Sequence, residues 1–161
     1  MYEKFGEFDS WEELNKAAEG QKEEGDTEAL KELAKENGID IEDAEDYIDG
    51  VIPELCTPLI AALGKLKVEE EDLKPKDIMV DWVNYIRTLC SNDENICLTV
   101  RKKGKSLKGC IGALLKWSFG HQQQIDKDII KAAGVSASKI TLGIPGMREA
   151  HKLIKEYYGG V

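Results

Sequence analysis

Helix start and stop signals recur through this chain at short intervals, and they limit its fold to a succession of short elements. Ser10-x-x-Glu13 is a capping box, in which hydroxyl and carboxylate satisfy first-turn N–H groups, and Trp11, Leu14 and Ala18 follow at spacings of three and four. Gly20 and Gly25 punctuate the end of this first helix. A second helix opens at Asp26 or Thr27 and carries Leu30, Leu33 and Ala34 on one face. It stops at Asn37-Gly38, residues that tolerate the left-handed backbone of a helix C-terminus. Asp40 stands at a capping position before Ile41, Ala44, Tyr47 and Ile48, and Gly50 closes that segment. Residues 26–50 therefore read as a helical hairpin, a shape shared by small protein-binding and DNA-binding modules.

Thr57-Pro58 is a cap followed by proline at the first helical position, opening a helix through Leu63. Residues 64–74, GKLKVEEEDLK, are highly charged and weakly periodic, and read as a linker. Pro75 starts a helix striped by Ile78, Trp82, Tyr85, Ile86 and Leu89. Ser91-x-x-Glu94 reads as a second capping box, opening a segment through about Lys102. Its ICLTV core is rich in β-branched residues, yet no alternating partner strand lies nearby, so a helix is expected. Ser106 caps a helix with Leu107, Ile111, Leu114, Leu115 and Phe119 on one face. Another runs from Asp126 to Ala133, closed by Gly134, and the last starts at Pro145 with Met147, Ala150, Leu153, Ile154 and Tyr157. The expected fold is all-α, with eight or nine short helices.

Charge divides the chain. Residues 1–74 hold 23 Asp/Glu against 8 Lys/Arg, a net of −15, whereas residues 75–161 hold 8 against 14, a net of +6. The expected organisation is an acidic helical region, 1–74, followed by a basic helical domain, 75–161. Such a bipolar molecule favours partners of both signs, and favours each half for the other.

The start, MYEKFGEFDSWEEL, lacks the basic region, apolar run and cleavage site of a signal peptide. The longest apolar stretch, Leu59–Leu63, is too short to span a bilayer. A soluble cytoplasmic protein with no membrane partner is expected. Cys56, Cys90, Cys97 and Cys110 lack the paired spacing of a zinc site and sit in apolar surroundings, so they read as buried thiols acting as small hydrophobes.

No cofactor, metal or catalytic set is expected. Gly104-Lys105-Ser106 ends like a phosphate-binding loop, but the first glycine of that motif is missing. The acids from Asp40 to Asp49 fall on a helical pattern with Ala44, Tyr47 and Ile48 between them, which suits a solvated helix face better than a calcium loop. His121 follows Gly120 at a helix end, where histidine meets free carbonyls, and His151 lies in the last helix. Neither sits in a recognisable nucleophile–base arrangement.

The segment Arg101-Lys102-Lys103-Gly104-Lys105-Ser106-Leu107-Lys108 stands out, with five cations in eight residues around a helix N-terminus. Helix dipole and free N–H groups there favour an anion, and the cations add to them. Two readings stay open: a contact for phosphate or an acidic surface, and a solvated loop. On either reading the loop is expected to stand exposed.

The same segment carries a resemblance. Residues 85–120, YIRTLCSNDENICLTVRKKGKSLKGCIGALLKWSFG, resemble the PcfK-like family of conjugative and other mobile elements, with Lys105, Ser106, Leu107, Gly109 and Cys110 as the matching kernel. Some relatives of that family are described as anti-CRISPR inhibitors of Cas9-type nucleases. Where that family continues with an acidic, tyrosine-rich segment, this chain reads KAAGVSASKITLGIPGM. The resemblance implies a non-enzymatic binding protein of a plasmid, conjugative transposon or phage, acting on a nucleic-acid-handling protein. A nuclease channel lined with Lys and Arg would accept the acidic half in place of a phosphate backbone, through Glu23, Glu24, Asp43, Asp46 and Asp49. The plain alternative is that these acids serve solubility. A second functional reading is direct nucleic-acid binding through Arg101, Lys102, Lys103, Lys105 and Lys108.

Overall fold

The computed structural model describes residues 2–159 and contains nine α-helices among them, with one pair of very short strands. The all-α expectation holds. In α1 (Trp11–Glu23) the Ser10 hydroxyl accepts the Glu13 N–H at 3.2 Å, and the Glu13 carboxylate reaches back to the Asp9 N–H at 2.9 Å. α2 (Thr27–Glu36) is capped by the Asp26 carboxylate, which accepts the Ala29 N–H at 2.9 Å. α3 (Ile41–Ile48) completes the hairpin. Leu14, Ala18, Leu30, Leu33, Ala44 and Tyr47 from these helices close one apolar cluster, together with Leu55, Cys56 and Ala61.

α4 (Pro58–Leu73) corrects the linker expectation: residues 64–73 are the last ten residues of this helix, which starts on the Thr57 cap as expected. Lys, Leu and Glu are strong helix formers. The buried stripe runs through Ala61, Ala62, Lys65, Leu66 and Glu69, so two of its positions are charged and a hydrophobicity pattern does not see it. The helix stops at Lys74, whose φ of 51° is left-handed, just before Pro75.

α5 (Ile78–Asn92) begins three residues beyond Pro75 and extends past Ser91, whose hydroxyl donates to the Arg87 carbonyl at 3.1 Å. The second capping box is therefore not formed. Asp93 caps α6 (Glu94–Arg101) instead, accepting the Asn95 N–H at 2.9 Å. Ser106 caps α7 (Leu107–Gly120) through the Gly109 N–H at 3.0 Å. Then come β1 (Gln123–Gln124), α8 (Lys127–Ala132) and β2 (Thr141–Leu142), the strands pairing antiparallel with Gln123 opposite Leu142. α9 (Met147–Gly159) ends the described chain.

The second apolar cluster joins Ala62 and Leu66 of α4 to Val83, Ile86, Val100, Leu107, Leu114 and Ile154. Consecutive residues of α4, Ala61 and Ala62, thus serve different clusters. The turn after α2 lies directly on α4. A Cβ on Gly38, whose φ is +70°, would sit 2.2 Å from the Gly64 carbonyl oxygen, and one on Gly64 would sit 2.4 Å from the Asn37 oxygen. All four cysteines are buried and unpaired, as expected. Among the described residues no helix is long and apolar enough to cross a membrane.

Candidate functional site

The basic segment is built into a joint between the two halves, and most of its charge is engaged there. Arg101 is 1% exposed, which corrects its expected place on a cationic surface. Its Nη2 donates to Asn37 Oδ1 at 2.9 Å, and the buried Asn37 side chain in turn donates to the Leu33 carbonyl at 2.9 Å. The Arg101 guanidinium also lies 6.0 Å from the centre of the Tyr2 ring. Burial pushes the Tyr2 hydroxyl up to about 12, against the pull of Arg101.

Lys65 organises the joint. Its side chain is fully buried, and Nζ donates to the carbonyls of Lys102 at 2.6 Å and Lys105 at 2.7 Å, with the Arg101 carbonyl at 3.5 Å. The Glu7 carboxylate closes the shell at 2.9 Å. These carbonyls belong to the C-terminal end of α6 and the turn beyond it, where a helix leaves its acceptors unpaired and a cation is favoured. One turn along α4, Glu69 Oε2 accepts the Leu107 N–H at 3.0 Å, at the start of α7. The Lys65–Glu69 pair therefore places each charge against the helix end of opposite polarity. Burial raises the Glu69 carboxyl above its ordinary value, opposed by the Leu107 N–H and by Lys65.

That arrangement fills the predicted anion position from within the chain: the carboxylate at the start of α7 is Glu69. Other ties complete the joint. Asp9 accepts the Lys103 N–H at 2.9 Å, and the Tyr157 hydroxyl accepts the Ser106 N–H at 3.0 Å. Lys105 Nζ donates to the Tyr157 carbonyl at 2.5 Å and stands 4.7 Å from its ring centre. Lys108 pairs with Asp72 at 2.5 Å. Lys102 and Lys103 are exposed and form no ion pair among the described residues, so two of the five cations have free side chains. The expectation of an exposed, unattached loop is corrected, because the acidic half and Tyr157 of α9 together supply its partners.

The acidic residues are placed differently. Glu23, Glu24, Asp46 and Asp49 are exposed and Asp43 is half-buried. None of the five enters the ion pairs of the described residues, although neighbouring acids do: Glu32 with Lys4, Glu45 with Lys31 and Asp40 with Lys67. Lys22 Nζ, 2.5 Å from the Tyr47 carbonyl oxygen, ties the end of α1 to the end of α3. Glu23 and Glu24 thereby lie toward the same end of the hairpin as Asp46 and Asp49, with Asp43 a turn earlier. Burial, and then the charges of Glu19, Glu23 and Glu54, raise the Tyr47 hydroxyl above its usual value.

His121 meets the Trp117 carbonyl oxygen at 2.7 Å and stacks on the indole at 4.0 Å between ring centres, the helix-end role expected of it. His151 stacks on Tyr85 at 3.5 Å. Sequence reasoning passed over Lys65 and Glu69, and read Asn37 only as a helix stop. The available signal was an i,i+4 Lys–Glu pair occupying the apolar positions of a helical stripe. No protein-family model, curated protein or solved structure matches the chain.

Proposed function

We propose that this chain is a non-enzymatic protein-binding module whose acidic hairpin engages a basic partner. The observation that carries this reading is the contrast between its two charged regions. Three of the five cations of the basic segment are buried, tied to a carbonyl or paired internally, while the five carboxylates at Glu23, Glu24, Asp43, Asp46 and Asp49 remain unpaired among the described residues. Unpaired carboxylates on a rigid helical frame present negative charge without the cost of ordering a flexible tail. The partner class is a nucleic-acid-handling protein with a channel lined by lysine and arginine, such as a Cas9-type nuclease. The PcfK-like resemblance of residues 85–120 points the same way, toward an inhibitor or accessory factor of a mobile element. Direct nucleic-acid binding by the 101–108 segment is the weaker reading, since Lys102 and Lys103 are its free side chains.

The test is retention of the intact chain on an immobilised Cas9-type nuclease across a salt series. Retention at low ionic strength that fades as the Debye length shrinks below about 8 Å is expected. A variant with Glu23→Gln, Glu24→Gln, Asp43→Asn, Asp46→Asn and Asp49→Asn should bind at least about tenfold more weakly. Absence of retention at low salt removes the proposal.

A further inference from the structure

Residues 115–149 belong to neither apolar cluster, yet they hold seven of the eleven large hydrophobic residues that stand exposed among the described residues. Leu115 and Phe119, one helical turn apart near the end of α7, are 67% and 84% exposed. The chain then leaves the core as an arm made of β1, α8 and β2, and returns at Gly143. A Cβ on Gly143 would lie 2.5 Å from the Ser118 carbonyl oxygen, so the arm closes directly onto α7. Leu142 and Ile144 flank that closure, both more than half exposed, and Met147 opens α9 beside it at 75%. These five residues stand on the three segments that adjoin at that closure, the end of α7, β2 with the residues after it, and the start of α9, with Ile129 and Val135 farther along the arm.

At these exposures the five present on the order of 500 Å² of apolar surface, and all seven on the order of 700 Å², at or above what a typical monomer leaves open. That area approaches the roughly 800 Å² each partner contributes to a standard interface. The arm has little internal support, with Ile130 its one buried large apolar side chain among the described residues. Its ladder has two residues per strand and its helix six, lengths that do not hold themselves together in water. Its border carries both signs: Lys116, Lys127, Lys131 and Lys139 beside Asp126 and Asp128, all exposed and outside every ion pair of the described residues. A twofold contact sets such a border against its own copy, with opposite charges available across the axis.

We infer that this face is the twofold interface of a homodimer, in which Leu115 and Phe119 of one copy pack against Leu142 and Ile144 of the other. It lies on other elements than the acidic hairpin, so the inference is independent of the proposed partner. The test is sedimentation equilibrium of the intact chain from roughly 1 to 300 μM, the range in which micromolar association is read directly. The expected mass approaches twice the 17.9 kDa of one chain. An apolar interface keeps that mass in about 1 M salt, where the Debye length is about 3 Å. The Phe119→Lys/Leu142→Lys variant should raise the dissociation constant at least about tenfold, with an unchanged far-ultraviolet circular dichroism spectrum because both side chains are exposed. Should that variant lose helicity, Ile144→Lys/Met147→Lys makes the same measurement from other positions. A monomer at every concentration overturns the inference. So does association that disappears in high salt, which would mark head-to-tail pairing of acidic and basic halves, or a folded variant that dimerises like the parent.

Discussion

Replacing Lys65 with methionine tests the joint at its centre. The substitution keeps an unbranched stem in a fully buried slot and removes the ammonium that reaches the Lys102 and Lys105 carbonyls at 2.6 and 2.7 Å. Hydrogen bonds from a charged donor contribute about 1.5–3 kcal/mol each, so two short ones set a gross loss of about 3–6 kcal/mol. Relief from burying the charge offsets part of this, and Glu7, 28% exposed, turns to water without great cost. Glu69 has no such escape and is left buried without its neighbouring cation. A net loss of about 3–4 kcal/mol follows. For a chain of this length that corresponds to a fall in Tm of about 10 °C. Urea unfolding at pH 7, followed by circular dichroism, measures it. Lys65→Arg should not rescue the loss, because a planar guanidinium does not fit a slot shaped for a point charge. Adding Glu69→Gln to Lys65→Met should cost less than the sum of the two single changes, since the groups share one network. A Lys65→Met protein within about 1 kcal/mol of its parent would refute the assignment of Lys65 as the organiser of the joint.

Gly64→Ala should destabilise by about 2–3 kcal/mol, since its Cβ would meet the Asn37 oxygen at 2.4 Å. Gly20→Ala, with open space around its Cβ in α1, should gain about 0.5–1 kcal/mol, and thermal melts of the two should shift in opposite directions. Glu69 makes a pH-dependent contribution of defined sign. Its carboxyl is raised on folding, so the folded state holds the proton longer and stability from this group falls as pH rises through the folded pKa. Glu69→Gln should therefore gain on the parent as pH rises above the ordinary carboxyl value of 4.5 in urea titrations, and a gain by the parent there would contradict the burial argument. Burial pushes the thiols of Cys56, Cys90 and Cys110 up to about 12, and Cys97 is raised for the same reason. The native chain should react slowly with a disulfide reagent and release four thiols on unfolding, and rapid native labelling would show that the core opens.

Much of the helical layout was legible because its signals are local. Ser10, Asp26, Thr57 and Ser106 each cap the helix they announce, and the Asn37-Gly38 stop ends α2 where expected. Errors arose where a tertiary contact decided the outcome. Residues 64–73 looked like a linker because Lys65 and Glu69 count as polar in any pattern, and nothing local announces that the ends of α6 and α7 will satisfy both. Ser91 and Asp93 compete as caps, and a longer α5 gave the role to Asp93. The strand pair at Gln123–Gln124 and Thr141–Leu142 was missed because two-residue strands carry no alternation to detect. The candidate site divided in the same way. The carboxylates of the hairpin lie on the surface, where their charge is visible in sequence. The fate of Arg101 depended on Asn37, sixty-four residues away.

The position of α4 between two apolar clusters also bears on how the chain assembles during synthesis. Translation delivers α1, α2 and α3 first, and the arrival of Ala61 lets the hairpin close its cluster before α5 to α9 exist. The opposite side of α4, with Ala62 and Leu66, is then a finished helical surface with nothing yet to cover it. Bare apolar faces on nascent domains invite aggregation. Here Lys65 and Glu69 sit in the middle of that face, and until the 101–107 segment emerges neither has the helix end that it meets in the finished fold. The pair that locks the joint thus also sets two charged positions along the surface on which the second half of the chain condenses.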